Sequence, residues 1–306
     1  NGTSWSNTNP TSKARTCGAG TGTQNSALIF GGRTTASPGY VGDTEEYNGT
    51  SWVTCAQLSF NYTCGVNQMA FGTQNATIGV GGTACMQNCS FFYNGTAWSL
   101  GTVLPSGGCV KSAGAFGNCN DGMIFGGCLG FGFGYSYSDK SFCYGIGVNS
   151  WSTSANMITP RAGLVGNGLV NGGLATGGYN GSNNVLGCTE MWTGTSWEAG
   201  SNLILPRDAG AGHSASSNRA VIVGGKLGNG SVTDTMECYN WDECYLVTIE
   251  GAVAAGPNVA TTPYTENFNT VIACSRAGGY CTLYSGTITN PPTQVSSSLQ
   301  FKGYTP

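Results

Sequence analysis

Charge, histidine and long apolar runs are all scarce in this sequence of 306 residues. Charged residues make up 8% of the chain, the net charge is -3, and there is a single His. We see no basic stripe of the kind that binds nucleic acid, and no apolar run approaches the roughly 18 residues of a membrane span. We therefore expect neither a nucleic-acid partner nor a membrane span.

Long helical periodicity is missing as well, whereas glycine is abundant. No segment keeps a 3.6-residue apolar period, so helix should be scarce. The chain has 51 Gly, yet 40% of its residues are hydrophobic and 11% are aromatic, which is not the composition of a disordered protein. Short strands joined by glycine-rich turns are expected. The chain begins inside a repeat and shows no signal peptide, which leads us to expect a processed, mature chain.

The 14 Cys are scattered and do not form paired CxxC sets. With one His, a zinc site of Cys/His type is not expected, and we predict no metal or other cofactor. Disulfides in an oxidising compartment are the better interpretation, so we expect an extracellular protein or one on a cell or virion surface. The connectivity cannot be deduced, but Cys274 with Cys281 and Cys85 with Cys89 are plausible local pairs.

A repeat dominates the chain. A diglycine follows an apolar run five times, at intervals of 50, 45, 51 and 47 residues. An aromatic residue comes next in every unit, and a Trp follows it in the first four. The diglycines are Gly31-Gly32, Gly81-Gly82, Gly126-Gly127, Gly177-Gly178 and Gly224-Gly225, the aromatics are Tyr47, Tyr93, Tyr144, Trp192 and Tyr239, and the tryptophans are Trp52, Trp98, Trp151 and Trp197.

This pattern resembles the kelch repeat over roughly residues 1–241. The segments GTQNSALIFGG and YNGTSW resemble more narrowly the kelch-like repeats of phage tail-fibre and bacterial surface proteins. The resemblance implies an all-β, five-bladed β-propeller with four strands in each blade. Such blades bury their apolar faces by stacking, with diglycines at tight turns, Trp wedges between blades and Asn-Gly hairpin turns.

The fifth unit is incomplete. Its aromatic and its Trp, Tyr239 and Trp241, are two residues apart, whereas the interval is five in units 1, 2 and 4 and seven in unit 3. Two residues leave no room for the NGTS turn, but the chain begins with a spare NGTSW. We therefore predict that Asn1–Ser6 is the outer strand of the last blade and closes the ring. Donation of this strand to the next molecule is the alternative.

Arginine and glutamate occur together in three units and are both missing from the other two. Units 1, 4 and 5 have an Arg 16 or 17 residues before the diglycine and a Glu two residues before the aromatic, whereas units 2 and 3 have Cys and Phe there. An Arg–Glu pair within or between blades is one interpretation. The other is an anion site at the channel mouth, for instance for an acidic sugar. The residues are Arg15, Arg161 and Arg207 with Glu45, Glu190 and Glu237, against Cys64 and Cys109 with Phe91 and Phe142.

Catalytic motifs are not found. GxSxG and the SxDxGxTW box are absent, and the lone His213 is a candidate ligand-binding residue or a structural donor. We therefore expect no enzymatic activity. Glycosylation is a separate possibility, and the candidate sequons begin at Asn1, Asn48, Asn61, Asn75, Asn88, Asn94, Asn180 and Asn229.

Residues 242–306 do not follow the repeat pattern, and we predict that they form a small β-strand domain or an assembly tail. Strands are predicted at Tyr245–Ile249, Thr270–Cys274, Tyr280–Tyr284 and Val295–Phe301. The preferred function is a structural subunit of an extracellular filament or appendage, with copies of itself as partners. The alternative is a glycan- or receptor-binding propeller of the adhesin or tail-fibre type. A secreted enzyme is a third, less favoured interpretation.

Overall fold

The computed structural model describes residues 7–35, 39–58, 69–82, 88–105, 111–129, 136–145, 147–181, 184–212, 219–240, 266–275 and 280–288. The chain divides into two compact units, Asn1–Tyr239 and Asn240–Pro306. Within the described ranges every regular element is a β-strand. The scarcity of helix predicted from the sequence and the all-β class implied by the resemblance are therefore confirmed.

The first unit contains five antiparallel sheets of three or four strands, one for each sequence repeat. Their strands are β1 (Ala19–Thr23), β2 (Ser26–Phe30), β3 (Thr44–Tyr47) and β4 (Trp52–Thr54) in blade 1; β5 (Met69–Thr73), β6 (Ala76–Val80), β7 (Cys89–Tyr93) and β8 (Trp98–Val103) in blade 2; β9 (Gly114–Gly117), β10 (Asp121–Phe125), β13 (Ser141–Gly145) and β14 (Ser150–Thr153) in blade 3; β15 (Val165–Leu169), β16 (Gly172–Thr176), β17 (Thr189–Trp192) and β18 (Trp197–Ala199) in blade 4; and β19 (Ala211–Gly212), β20 (Arg219–Val223) and β21 (Met236–Asn240) in blade 5.

The first strands of consecutive blades contact one another, which makes them the innermost strands of a five-bladed propeller. Blade 3 carries a further hairpin, β11 (Cys128–Leu129) and β12 (Ser136–Tyr137), between its second and third strands. Blade 5 has three strands in the described residues. The strand predicted at Asn1–Ser6 lies outside those residues, so ring closure stays a prediction.

The diglycines lie where only glycine fits. Both glycines have positive φ in all five units, for example 66° at Gly31 and 94° at Gly32. A Cβ on Gly32 would also lie 2.7 Å from the carbonyl oxygen of Thr16. Left-handed backbone and close approach together explain why the repeat keeps this pair. The hairpin turn glycines Gly49 and Gly95 have φ near 90° too, as the Asn-Gly signal predicted.

The hydrophobic core lies between the blades rather than within one of them. Its three clusters join blades 1 and 2, blades 2 and 3, and blades 3 and 4. Each cluster contains a Trp of an outer strand wedged against the preceding blade; Trp98, for instance, packs on Phe30 with ring centroids 4.7 Å apart. The predicted wedge role of Trp is therefore confirmed at these three interfaces.

The second unit contains one long hairpin in its described part. Strand β22 (Glu266–Ser275) pairs antiparallel with β23 (Tyr280–Ile288), and the register places Cys274 opposite Cys281. These strands include two of the four predicted in the tail. The predictions at Tyr245–Ile249 and Val295–Phe301 lie outside the described residues.

The expectation of abundant disulfides is wrong for the eight cysteines whose side chains are described, because none of them is disulfide-bonded. The proposed Cys85–Cys89 pair fails for this reason: Cys89 is a buried free thiol that packs with Phe91 and Leu28 between blades 1 and 2. Four of these thiols lie in strands of the blades, and the other four lie in turns or connecting segments. The eight are Cys17, Cys55, Cys89, Cys119, Cys128, Cys143, Cys188 and Cys238.

Candidate functional site

A buried arginine is held by a glutamate in blade 4. Arg161 has no exposed surface, and Glu190 on β17 is 2% exposed. Arg161 Nη1 donates to Glu190 Oε1 at 2.9 Å, and Nη2 donates to the carbonyl oxygen of Ala175 at 3.1 Å. Glu190 also accepts the backbone N–H groups of Ile158 and Thr159, at 2.7 and 3.0 Å. The carboxylate therefore ties the segment that enters the blade to its third strand.

Blades 1 and 5 repeat this arrangement. Arg15 is ion-paired with Glu45, and Arg207 with Glu237. In both blades the second carboxylate oxygen accepts a backbone N–H from the residue three positions before the arginine, at 2.6 Å in blade 1 and 2.8 Å in blade 5. The Arg–Glu pairing that their joint occurrence predicted is thus present in three blades, and each pair lies within one blade.

Blades 2 and 3 have phenylalanine at the third-strand position that Glu190 occupies in blade 4. Phe91 and Phe142 are 0% and 2% exposed, so the position is buried whichever residue it holds. A carboxylate at such a position needs a cation and hydrogen-bond donors. The alternative role of the three arginines in binding an anion stays a prediction, and an anion would have to displace the glutamates to reach them. His213, Cys64 and Cys109 lie outside the described residues.

In every blade the second strand ends and the third strand begins at the same face of the propeller, which we call the loop face. Successive strands of a blade run in opposite directions, so the loop between the second and third strands emerges beside the segment that leads into the next blade. The tight NGTS turns lie on the other face. The loop face is therefore the one with variable length and sequence, as expected of a binding face.

A cavity of about 590 Å³ opens on the loop face of blade 1. Lys13, Thr34, Tyr40, Asp43 and Gln57 contribute to its lining, and Tyr40 is 51% exposed. Lys13 forms an ion pair with Asp43, whose Oδ1 accepts a hydrogen bond from Gln57 Nε2 at 2.9 Å. The hydrogen bond from Lys13, followed by that from Gln57, holds the pKa of Asp43 below its usual value. A charged, oriented acceptor therefore lies beside an exposed aromatic ring.

Sequence reasoning missed this cluster, although a signal for it exists. Lys13 lies two residues before Arg15, and Asp43 lies two residues before Glu45. Residues two apart on an extended segment share a face, so the Lys–Asp pair runs parallel to the buried Arg–Glu pair. The repeat comparison did not reveal it because the other units do not have both charges.

A second unusual carboxylate lies on the loop face near blade 5. The backbone of Asp208 pairs with that of Lys226, at 2.9 and 2.8 Å. Its Oδ1 is buried and has no hydrogen-bond partner. Burial raises the pKa of Asp208, and the charge of Lys226 opposes this in part. Within the described residues no group of three or more His, Cys, Asp or Glu side chains could hold a metal ion.

Several candidate glycosylation sequons begin in exposed turns. Asn94 Oδ1 accepts the backbone N–H groups of Thr96 and Ala97 at 3.0 and 2.8 Å, and Asn48 accepts the equivalent pair in blade 1. Asn229 Oδ1 accepts the N–H and hydroxyl of Ser231. Asn75, Asn88 and Asn180 are also described, whereas Asn1 and Asn61 are not. Glycan attachment stays a prediction at all eight sequons.

Comparison with known proteins supports the fold. No protein-family profile and no curated protein sequence matches this chain. Among solved structures, 203 chains match, so the fold is widely shared. One is the structure of YjhT, with a TM-score of 0.60, 15% sequence identity, and coverage of 72% of this chain and 80% of that chain. Identity this low shows similarity of fold alone. Within the described part, no helix is long and apolar enough to cross a membrane.

Proposed function

We propose that the protein is a non-enzymatic, extracellular structural protein, a subunit of a filament or surface appendage that assembles head to tail through its C-terminal β segment. The observation that carries the proposal is the hairpin β22–β23. Its strands have ten and nine residues, whereas no strand in the described part of the propeller exceeds six. In the described residues this hairpin is a sheet of its own, with two strands. An isolated two-stranded hairpin is marginally stable in water, and a third strand would stabilise it.

The propeller offers an acceptor edge for such a hairpin. Strand β8 is the outer strand of blade 2, and its outer edge has no partner strand among the described residues. Leu100 and Val103 on β8 are 54% and 59% exposed. An exposed edge with apolar side chains favours strand addition. Since donor hairpin and acceptor edge are different surfaces, their contact is heterologous and can repeat into an open chain.

Electron microscopy and light scattering of the full chain test this proposal. We expect regular filaments from the unmodified protein and dispersed monomers from L100K/V103K, because two charges block strand addition at β8. The control is Val148→Lys, which changes a side chain 75% exposed on blade 3 and should leave the filaments intact. Monomers of the unmodified protein at high concentration would reject the filament, and filaments from L100K/V103K would reject this acceptor edge.

A glycan-binding propeller is the second candidate, and the cavity on blade 1 favours it. Saccharides are bound by an aromatic ring together with oriented polar groups, and Tyr40, Lys13, Asp43 and Gln57 supply these. A glycan array screen followed by calorimetry of Y40A tests this candidate. We expect a retained glycan whose affinity falls at least about tenfold in Y40A, the ~1.4 kcal/mol of one stacking contact. Affinity unchanged in Y40A would exclude this cavity.

A further inference from the structure

The groups of the blade 1 cavity lie at positions that backbone hydrogen bonds fix. Tyr40 pairs with the residue that follows the diglycine. The N–H of Leu58 donates to the carbonyl oxygen of Gly42 at 2.8 Å, and this bond brings together the residues next to them in sequence, Asp43 and Gln57. The same bonds can be followed in other blades, so the equivalent positions can be located there.

These bonds identify the corresponding residues of blade 3. Tyr137 pairs with the residue that follows the blade 3 diglycine, so it occupies the position of the blade 1 tyrosine. The N–H of Met157 donates to the carbonyl oxygen of Asp139 at 2.7 Å. Asn156, which precedes Met157, therefore corresponds to Gln57. Blade 3 thus has a tyrosine and a side-chain amide at the same two positions as blade 1.

Blade 3 also has a carboxylate and a lysine beside these two groups. Asn156 Nδ2 donates to Asp139 Oδ2 at 3.2 Å, as Gln57 donates to Asp43 in blade 1. Lys140 Nζ lies 3.6 Å from Asp139 Oδ1, and the two side chains are 53% and 34% exposed. A tyrosine, a lysine–aspartate pair and an amide that binds the aspartate therefore occur on the loop face of both blades.

The blade 3 set is built from neighbouring positions, which hides it when the units are compared residue by residue. Asp139 lies at the position of Gly42, and Lys140 lies at the position of Asp43. No other described blade therefore has both charges at the positions of Lys13 and Asp43, although blade 3 presents the same functional groups.

The remaining described blades do not contain the full set. At the tyrosine position blade 4 has Val185 and blade 5 has Val232, each paired with the residue that follows its diglycine. Blade 4 has Gly187 where blade 3 has Asp139, since the N–H of Leu203 donates to the carbonyl oxygen of Gly187. The tyrosine position of blade 2 lies outside the described residues. The tyrosine and the charged pair thus occur together in two blades, and blade 4 has neither.

The charges of each set favour a neutral ligand that is rich in hydroxyl groups. The lysine and the amide N–H groups donate hydrogen bonds, the carboxylate accepts them, and the pair has no net charge. An anion would meet the carboxylate and a cation would meet the lysine, whereas sugar hydroxyls both donate and accept. The tyrosine adds an aromatic face for the apolar side of a sugar ring. Tyr137 is held in place by Tyr179 of blade 4, with ring centroids 5.6 Å apart and an interplanar angle of 80°.

We propose that blade 3 carries a second binding site for a neutral saccharide, formed by Tyr137, Asp139, Lys140 and Asn156 and equivalent to the cavity of blade 1. The inference rests on the glycan-binding candidate function. One chain then holds two sugar units on the same face of the propeller, with blade 2 between them. A glycan that occupies both sites is bound about 10²–10⁴-fold more tightly than a single sugar, so loss of either site weakens its binding.

Equilibrium dialysis of the full chain counts the sites. The probes are the radiolabelled methyl glycosides of glucose, galactose, mannose and N-acetylglucosamine, which are too small to bridge two sites. For a glycoside that binds, we expect two molecules per chain with the unmodified protein, one with Y40A, one with Y137A and none with Y40A/Y137A. Val232→Ala is the matched control, because Val232 takes the tyrosine position in blade 5 and is 83% exposed; this variant should still bind two.

The amide of Asn156 gives a test that leaves the contact between Tyr137 and Tyr179 intact. Asn156 is exposed, so N156A should keep the melting temperature of the unmodified protein. In Y40A the blade 3 site is the one that remains, and Y40A/N156A should bind about fivefold more weakly than Y40A, as expected for the loss of one hydrogen bond. Y40A/Q57A is the control and should bind as Y40A does.

The outcomes separate the second site from the candidate function. A ratio of one glycoside per chain that Y137A leaves unchanged would overturn the second site, but the glycan-binding candidate would stand. Equal affinities of Y40A and Y40A/N156A would also overturn the second site, as would a lower ratio in V232A. If none of the glycosides binds, both the second site and the candidate function are rejected.

Discussion

Breaking the buried ion pair of blade 4 on one side should destabilise the protein strongly. Arg161→Met removes the cation and leaves Glu190, which is 2% exposed, with two backbone N–H donors and no countercharge. Loss of one partner of a buried pair costs about 3–5 kcal/mol, and the carbonyl of Ala175 also loses its donor. We therefore expect R161M to lower the free energy of unfolding by about 4 kcal/mol.

The two partners should be strongly coupled. Glu190→Gln alone leaves the guanidinium of Arg161 buried without a carboxylate, which we expect to cost about 3 kcal/mol. The double variant R161M/E190Q leaves no unpaired charge, so its loss should fall short of the sum of the single losses by at least about 2 kcal/mol, near the upper part of the range for contacting residues. Urea denaturation at pH 7, followed by tryptophan fluorescence, measures all three values.

The chain itself supplies a further variant for this experiment. Units 2 and 3 have Cys and Phe at the positions that Arg161 and Glu190 occupy in unit 4. Because a buried pair can be replaced by apolar residues at little cost, R161C/E190F should be more stable than R161C alone. If R161M stays within about 1 kcal/mol of the unmodified protein, or if the losses add, the pair is not the element that ties the incoming segment to the blade.

Three further predictions concern groups outside that pair. Because the pKa of Asp43 is lowered, its pair with Lys13 stabilises the fold at pH values above the ordinary pKa of 3.8, and this contribution is lost as pH falls through the folded pKa. In urea denaturation, D43N should therefore lower the free energy of unfolding by up to about 1 kcal/mol at pH 7 and by less at pH 3. An equal loss at pH 7 and pH 3 would contradict this. The raised pKa of Asp208 has the opposite effect on the pH dependence: its contribution to stability is present below pH 3.8 and is lost as pH rises through the folded pKa. D208N should therefore raise the melting temperature at pH 7 but not at pH 3. A lower melting temperature of D208N at pH 7 would contradict this. The backbone register places Cys274 opposite Cys281 on neighbouring strands, so we predict a disulfide between them, which non-reducing peptide mapping of oxidised protein should find. C274S/C281S should then lower the free energy of unfolding by about 2.5 kcal/mol, because the link closes a short loop. Free thiols at both positions in oxidised protein would reject the link.

Much of the propeller could be predicted because its repeats share backbone constraints that the sequence displays. Gly31 and Gly32 recur in every unit because both positions need positive φ. The Arg–Glu pairs could be predicted without their geometry because a buried carboxylate cannot be kept when its cation is lost. In each case a physical requirement acts on the same position of several units, so comparing the units reveals it.

Features that belong to one unit could not be predicted in this way. The hairpin β11–β12 is an insertion in blade 3, and the Lys13–Asp43 cluster exists in blade 1 alone among the described blades. The cysteines misled for a different reason. Their even number indicates possible disulfides, but a count carries no distances, and Cys89 lies among apolar side chains of two blades.

This contrast also indicates where function should be sought. The positions that recur across units have a structural role, because each of them holds its own blade together. Examples are Glu45, Glu190 and Glu237, whose paired arginines are almost wholly buried. A ligand or partner instead needs groups that are exposed and that differ from blade to blade. Tyr40 beside the blade 1 cavity and the apolar edge of β8 meet both conditions. Substitutions there should change binding or assembly and leave the melting temperature near that of the unmodified protein, whereas substitutions at the paired arginines should lower it.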